Sequence, residues 1–175
     1  MNSSAEKPDT CQSCEFQDNL SILRDNHFFS KLPLEALKII AYLCGREKFK
    51  PGDYLFQQNE DDGQAIYLLT GKAALEVEDE TGVVPLFDIH PGALLGCLSL
   101  MGKMPRLYSL KAVEETTVVI MTREKFAKTM EQFPELTPKI LQAIVESVRA
   151  WEKRLLSRQI KDHESCRNIA GVSLL

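Results

Sequence analysis

Between Lys48 and Met121 the chain breaks into short apolar segments separated by turns, and that rhythm leaves few folds open. Lys48-Phe49-Lys50 meets the turn Pro51-Gly52-Asp53, and Tyr54-Leu55-Phe56 follows. The acidic turn Glu60-Asp61-Asp62-Gly63 leads into Ala65-Ile66-Tyr67-Leu68-Leu69, which stops at Gly71. Leu75-Glu76-Val77-Glu78 alternates apolar with charged, so one face is dry and the other wet. Asp79-Glu80-Thr81-Gly82 turns a hairpin, Val83-Val84-Pro85-Leu86-Phe87 returns, and Val118-Val119-Ile120-Met121 is a final buried strand. Turns recurring about every eight to twelve residues predict an antiparallel double sheet. The expected fold is mostly β, a jelly-roll-like barrel or double-stranded β-helix flanked by helices.

Within this region one stretch carries chemistry. Pro91-Gly92 opens a turn, Ala93-Leu94-Leu95 runs to Gly96, and Cys97-Leu98-Ser99-Leu100 leads on to Pro105-Arg106 and a further strand. A Gly before a short turn frees backbone N–H groups to face an anion. An Arg ten residues on can bring its guanidinium fork to the same place. Two readings stand together at this point: a phosphate cradle, or a sheet corner with one surface Arg.

Helical periods flank the strands. Pro33 suits a first turn, and Leu34, Leu37, Ala41 and Cys44 recur on one stripe that makes Cys44 a core residue. His27-Phe28-Phe29 should pack its rings under the sheet, with His27 structural. Thr122 is an N-cap with Glu124 in the first turn, and Phe126, Met130 and Phe133 share one side. Pro134 interrupts, and Thr137-Pro138 starts a longer helix. Along it Leu141, Ile144, Val148, Trp151 and Leu155 alternate spacings of three and four, the period of a seam between paired helices; the alternative is a helix packed along its own barrel, and the expectation is a homodimer.

The expected organisation is a flexible leader over 1–18, a β-roll with flanking helices over 19–134, a dimerisation helix over 135–160 and a flexible tail over 161–175. Lys and Arg total 21 against 25 Asp and Glu, a formal net charge of −4, which is poor material for gripping a nucleic-acid backbone. No apolar run reaches the length of a membrane span, and the polar N-terminus lacks a signal-peptide core, so a cytoplasmic chain is expected. Five cysteines cannot all pair internally. Cys11-Gln12-Ser13-Cys14 is a lone CxxC: half of a metal or redox site if the fold brings other cysteines to it, otherwise two solvent-facing thiols. No G-x-S-x-G, H-E-x-x-H or Walker loop is present and the three histidines are scattered, so no enzyme is expected.

Together these residues resemble the cyclic-nucleotide-binding domain shared by bacterial catabolite-activator regulators and the regulatory subunits of cyclic-AMP-dependent kinase. The matching features are Phe29-Ser30-Lys31-Leu32-Pro33 with Leu37, Pro51-Gly52 before Phe56, and Gly63 with Tyr67 and Gly71. They continue with Pro91-Gly92, Gly96-Cys97-Leu98 and Pro105-Arg106, and the likeness covers about residues 20–158. The resemblance implies a phosphate-binding cassette whose ligand-binding residues are Gly96, Cys97, Leu98, Pro105, Arg106 and Leu107, with Arg106 pairing to a cyclic phosphate or another small anion. The family's ribose-binding Glu falls on Cys97, and the usual small residues after the Arg fall on Leu107 and Tyr108, which implies a fuller pocket.

Those departures imply weak binding of cyclic AMP or cyclic GMP. Losing a hydrogen bond to a charged group costs about 1.5–3 kcal/mol, and crowding ~1–3 kcal/mol more. At ~1.4 kcal/mol per tenfold, a micromolar ligand becomes roughly millimolar. Cys97 also allows two readings: a redox-sensitive thiol favoured by the Arg106 cation, or a small inert core thiol. A redox, iron–sulfur or metal sensor using Cys11 and Cys14, and a ligand-free scaffold, are the alternatives to ligand sensing. About fifteen residues follow Ile160, too few for the helix-turn-helix domain of the transcriptional members. Signalling is therefore expected through the dimer or a protein partner, without direct nucleic-acid contact.

Overall fold

The computed structural model describes residues 9–26, 29–30, 32–80 and 82–159. Two helices, α1 (Asp9–Asp25) and α2 (Leu34–Leu43), precede eight strands. The strands are β1 (Gly45–Phe49), β2 (Tyr54–Phe56), β3 (Gln64–Thr70), β4 (Ala73–Asp79), β5 (Gly82–Ile89), β6 (Leu94–Leu95), β7 (Ser109–Ala112) and β8 (Thr116–Thr122). Helices α3 (Arg123–Gln132) and α4 (Thr137–Gln159) follow. The strands form two four-stranded antiparallel sheets, ordered β1-β8-β3-β6 and β2-β7-β4-β5. This is the expected jelly-roll arrangement, but as two sheets rather than a closed barrel.

Alternation in β3 and β8 builds two cores at once. Ile66, Leu68, Val118 and Ile120 point between the sheets, where they meet Phe56, Leu75 and Leu110. Ala65 and Met121 point the other way, into a core made with the helices: Leu23, Phe29, Leu37, Ile40, Phe126, Leu136 and Ile140. The middle of the first sheet, β3 and β8, is therefore covered on both faces, which is why β8 reads as an unbroken apolar run, while the edge strand β1 stays largely exposed.

The helices refine several expectations. The leader expected over 1–18 is helical from Asp9, because Phe16, Leu20 and Leu23 recur at four and three residues and pack on the helical core. The amide of Asn19 donates to the Ala41 carbonyl at 3.3 Å, and Arg46 bonds Asp18 at 3.2 Å, tying α1 to α2 and β1. Leu34 is exposed rather than part of the buried stripe, which consists of Ala36, Leu37, Ile40 and Ala41. Cys44 sits half-buried at the end of α2, packed on the same core. Phe29 is buried as expected, whereas His27 and Phe28 lie outside the described residues.

Thr122 caps α3, its hydroxyl accepting from the Lys125 N–H at 3.4 Å. A 3-10 turn at Pro134–Leu136 leads directly into α4, so Thr137 is already helical rather than a cap. Helix α4 buries Ile140 and Ala143 against the body, with Ile144 beside them, while Leu141 stands 59% exposed. Of the expected seam, Ile144 thus serves the protein's own core, Val148 is half-buried, and the side chains of Trp151 and Leu155 lie outside the described residues, as does the tail from 160 on. Among the described residues no helix is long and apolar enough to cross a membrane.

Candidate functional site

The site is built from three loops that converge on one guanidinium. After β6, Gly96 adopts φ +76°, the left-handed region that glycine enters freely, and a 3-10 turn over Cys97–Leu100 follows. The Ser99 and Met101 N–H groups donate to the Gly96 and Leu98 carbonyls, both at 3.0 Å. The loop then runs to Arg106, whose backbone is laddered onto the β2–β3 connection. Its N–H donates to Glu60 O, and Asn59 N–H donates to Arg106 O, each at 2.8 Å.

The Arg106 side chain turns inward and is only 5% exposed. Its Nη2 bonds Asp62 at 2.8 Å and the Gln64 carbonyl at 2.6 Å. The guanidinium lies 4.1 Å from the Phe56 ring centroid, a cation–π contact, and Tyr108 leans on the same ring at 5.5 Å. Gly96 completes the enclosure, because a Cβ there would collide with Nη1 and stand 2.6 Å from the Gln64 carbonyl. Glycine is needed at 96 for close approach as much as for its dihedral. Arg106 Nε and the Ser99 hydroxyl are buried with no hydrogen-bond partner.

A second ion pair lies beside the first. Asp61 receives the Arg123 guanidinium through both oxygens, and Met104 N–H donates to it at 3.3 Å. Arg123 opens α3, and its Nε donates to Ser99 O of the 3-10 turn at 2.7 Å. The hydrogen bonds from Arg123 hold the Asp61 carboxyl below the usual carboxylate range. Consecutive aspartates therefore grip consecutive parts of the molecule: Asp62 the cassette arginine, Asp61 the first residue of α3.

Gly96, Cys97 and Arg106 lie together in the structure, whereas Leu98, Pro105 and Leu107 lie outside this enclosure. Leu107 is 80% exposed, so it does not fill the pocket; the chain turns there to present Tyr108 to Phe56 instead. Pro105 and Leu98 are exposed on the rim. Burial pushes the Cys97 thiol up to about 12, which favours the inert core thiol over the redox sensor. Cys44 is likewise pushed up to about 12 by burial, and Cys14 is exposed on α1. Among the described residues no group of three or more His, Cys, Asp or Glu could hold a metal ion. An empty space of about 350 Å3, part of it open to solvent, lies between α1 and the first sheet, lined by Leu23, Phe29, Tyr67, Leu94 and Met121 among others. Neither Arg106 nor Gly96 lines it.

Sequence reasoning missed Asp61, Asp62, Phe56, Gln64 and Arg123. It read Glu60-Asp61-Asp62-Gly63 only as an acidic turn between strands, although an arginine too buried to be hydrated requires an acidic partner. Two aspartates in tandem between short strands were the available signal.

This fold and this cassette define a class. The cyclic nucleotide-binding domain family matches residues 46–133, half of the chain, and the chain belongs to that family. A cyclic nucleotide-binding-like protein from Brucella abortus is 29% identical with a TM-score of 0.60, covering 65% of this chain and 98% of that one. A cyclic nucleotide-binding domain from Methylobacillus flagellatus shares the fold at 18% identity and a TM-score of 0.67, over 86% and 85% of the two chains. The HTH-type transcriptional regulator Cmr of Mycobacterium tuberculosis is 22% identical over 110 residues, 63% of this chain and 45% of that protein. The chain spans less than half the length of the curated relatives it matches.

Proposed function

We propose that this domain is a ligand-sensing regulatory module whose anion site is occupied, in the resting state, by its own Asp62 carboxylate. The observation that carries this reading is the buried Arg106 guanidinium, stacked on Phe56 under Gly96 and paired to Asp62. An incoming anion takes the place of Asp62, so the cation keeps a partner throughout and is never left bare in a dry site. The released Asp62, 16% exposed at the mouth of the site, rehydrates.

Its neighbour Asp61 holds Arg123, and Arg123 holds the 3-10 turn, so exchange at Arg106 loads the start of α3 and, behind it, α4. The output is a shift between two helix arrangements, read by a second copy through Leu141, Val148, Trp151 and Leu155 or by a protein partner, without direct nucleic-acid contact. Cyclic AMP and cyclic GMP bind weakly, because Cys97 supplies no charged acceptor for a ribose hydroxyl and Asp62 competes for Arg106.

Thermal shift of wild type and Arg106→Ala against cyclic AMP, cyclic GMP, inorganic phosphate and pyrophosphate tests this reading. At least one anion should stabilise wild type and lose that effect in Arg106→Ala. Equal shifts in both proteins, or low-micromolar cyclic AMP binding by calorimetry, would overturn it.

A further inference from the structure

Apart from the cassette, the β4–β5 hairpin stands out among the described residues for its exposed apolar side chains. Strand β5 is outermost in its sheet, so its far edge meets no other strand among the described residues. Val83, Val84, Leu86 and Phe87 are 54%, 41%, 54% and 59% exposed. Single exposed apolar side chains are ordinary, but four within five consecutive residues form a contiguous patch, the mark of an interaction site.

The register shows how the patch is framed. Phe87 lies opposite Leu75 and Val84 opposite Val77, while Pro85 lies opposite Glu76 and Val83 opposite Glu78. The apolar group therefore wraps round the edge with carboxylates beside it. Residues 73–89 contain Glu76, Glu78, Asp79, Glu80 and Asp88 and not one Lys or Arg. Asp88, at the open end, is answered by Lys72 at 2.9 Å, and Lys111 lies opposite Ala74 on the inner strand β7, leaning on Tyr54. Toward the tip the charge is acidic.

Two features select the shape of the occupant. Pro85 has no N–H to offer, and the register slips between Leu75 and Glu76, so Leu86 bulges out of the ladder. A proline and a bulge both blunt an edge against strand addition. A helix needs no backbone partners and can lay one apolar face across Val83, Leu86 and Phe87 while its basic residues meet Glu76, Glu78 and Glu80. We infer that the β4–β5 hairpin is a docking surface for a basic amphipathic helix of a partner protein. A second copy meeting this surface with its own hairpin is the poorer occupant, since acidic residues would then face acidic residues.

The experiment uses the full chain and a fluorescein-labelled synthetic helix of Leu and Lys at helical spacing, read by fluorescence anisotropy. Wild type should bind at micromolar concentration. Affinity should fall about tenfold in Leu86→Ser/Phe87→Ser and in Val83→Ser/Leu86→Ser, the loss expected for central apolar contacts. Glu76→Gln/Glu78→Gln should weaken binding and flatten its salt dependence. Since Val83, Leu86 and Phe87 are exposed, the two apolar variants should keep the wild-type unfolding midpoint, which separates lost binding from lost fold. Equal affinity across the variants, preference for a Leu-Lys peptide alternating as a strand, or a change in sedimenting mass of the unliganded chain in the apolar variants would each overturn the proposal, the last by assigning the patch to a second copy.

Discussion

Arg106 and Asp62 form a salt bridge at 2.8 Å in which the arginine is 5% and the aspartate 16% exposed, so the cation that should recognise an external anion already holds an internal one. Forty-four residues separate them in sequence, and what joins them is the ladder between Arg106 and residues 59–60. The first prediction concerns this pair. Asp62→Ala leaves a guanidinium buried with only the Gln64 carbonyl and a ring face, which should cost about 3–5 kcal/mol. For a chain of this size that lowers the thermal midpoint by roughly 6 °C or more. Inorganic phosphate should restore more stability to Asp62→Ala than to wild type, because its competitor is gone. An unchanged midpoint would show that the pair is not formed in solution.

Gly96 and Gly92 make a matched comparison. Both have positive φ, +76° and +95°, but a Cβ at 92 meets nothing within 4 Å, whereas one at 96 collides with Arg106 Nη1 and Gln64 O. Gly92→Ala should lose only the left-handed backbone penalty of about 1–2 kcal/mol. Gly96→Ala must also displace the guanidinium, and urea unfolding should place it clearly below Gly92→Ala. Equal losses would mean that Arg106 does not press on Gly96.

Much of the architecture was legible in the sequence. Gly and Pro turns and period-two alternation gave the strands, Thr122 gave the start of α3, and Gly96 with Arg106 gave the cassette. Local pattern fails where a property depends on distant parts of the chain. Nothing within Glu60-Asp61-Asp62-Gly63 tells that two of its carboxylates face Arg106 and Arg123, because that depends on how β2, β3 and the cassette loop converge. The family resemblance placed Leu107 in the pocket, but a match in sequence position does not say which way the side chain turns, and Leu107 is exposed. Helix α1 was readable from Phe16, Leu20 and Leu23, which pack on the core that α2 shares, although the residues before them are polar.

The Asp61–Arg123 pair predicts an acid limb. The bonds from Arg123 hold the folded-state pKa of Asp61 below its ordinary value, so its contribution to stability is present above the unfolded carboxylate pKa, near 4. That contribution fades as pH falls through the lower, folded value. The stability gap between wild type and Asp61→Asn in urea should therefore be flat from neutral pH down to about pH 5 and close below pH 4. Asp88 and Glu124 are lowered in the same way by Lys72 and Lys128, so wild type retains an acid dependence even when Asp61 is replaced. A gap that closes near neutrality would contradict the pairing.

Thiol chemistry supplies a further check. Burial pushes Cys44 and Cys97 up to about 12, so almost no thiolate exists at either site at neutral pH, while Cys14 is exposed. Iodoacetamide labelling followed by peptide mass spectrometry should modify Cys14 in minutes and leave Cys44 and Cys97 until the chain unfolds in urea. Labelling of Cys97 in the native protein at the rate of a free thiol would revive the redox reading.

Helix α4 separates a packing role from an association role at adjacent positions. Ile140 is 3% exposed in the helical core, whereas Leu141 is 59% exposed. Ile140→Ala should lose about 2–5 kcal/mol of unfolding free energy, the usual cost of emptying a packed aliphatic site. Leu141→Glu disturbs no packing in a single chain, so unfolding of the isolated monomer should shift by no more than about 0.5 kcal/mol. Its effect should appear in sedimentation, where a dimer held through Leu141, Val148, Trp151 and Leu155 falls to half its mass. If Leu141→Glu sediments as wild type does, α4 is a strut of the fold and the signal leaves by another face.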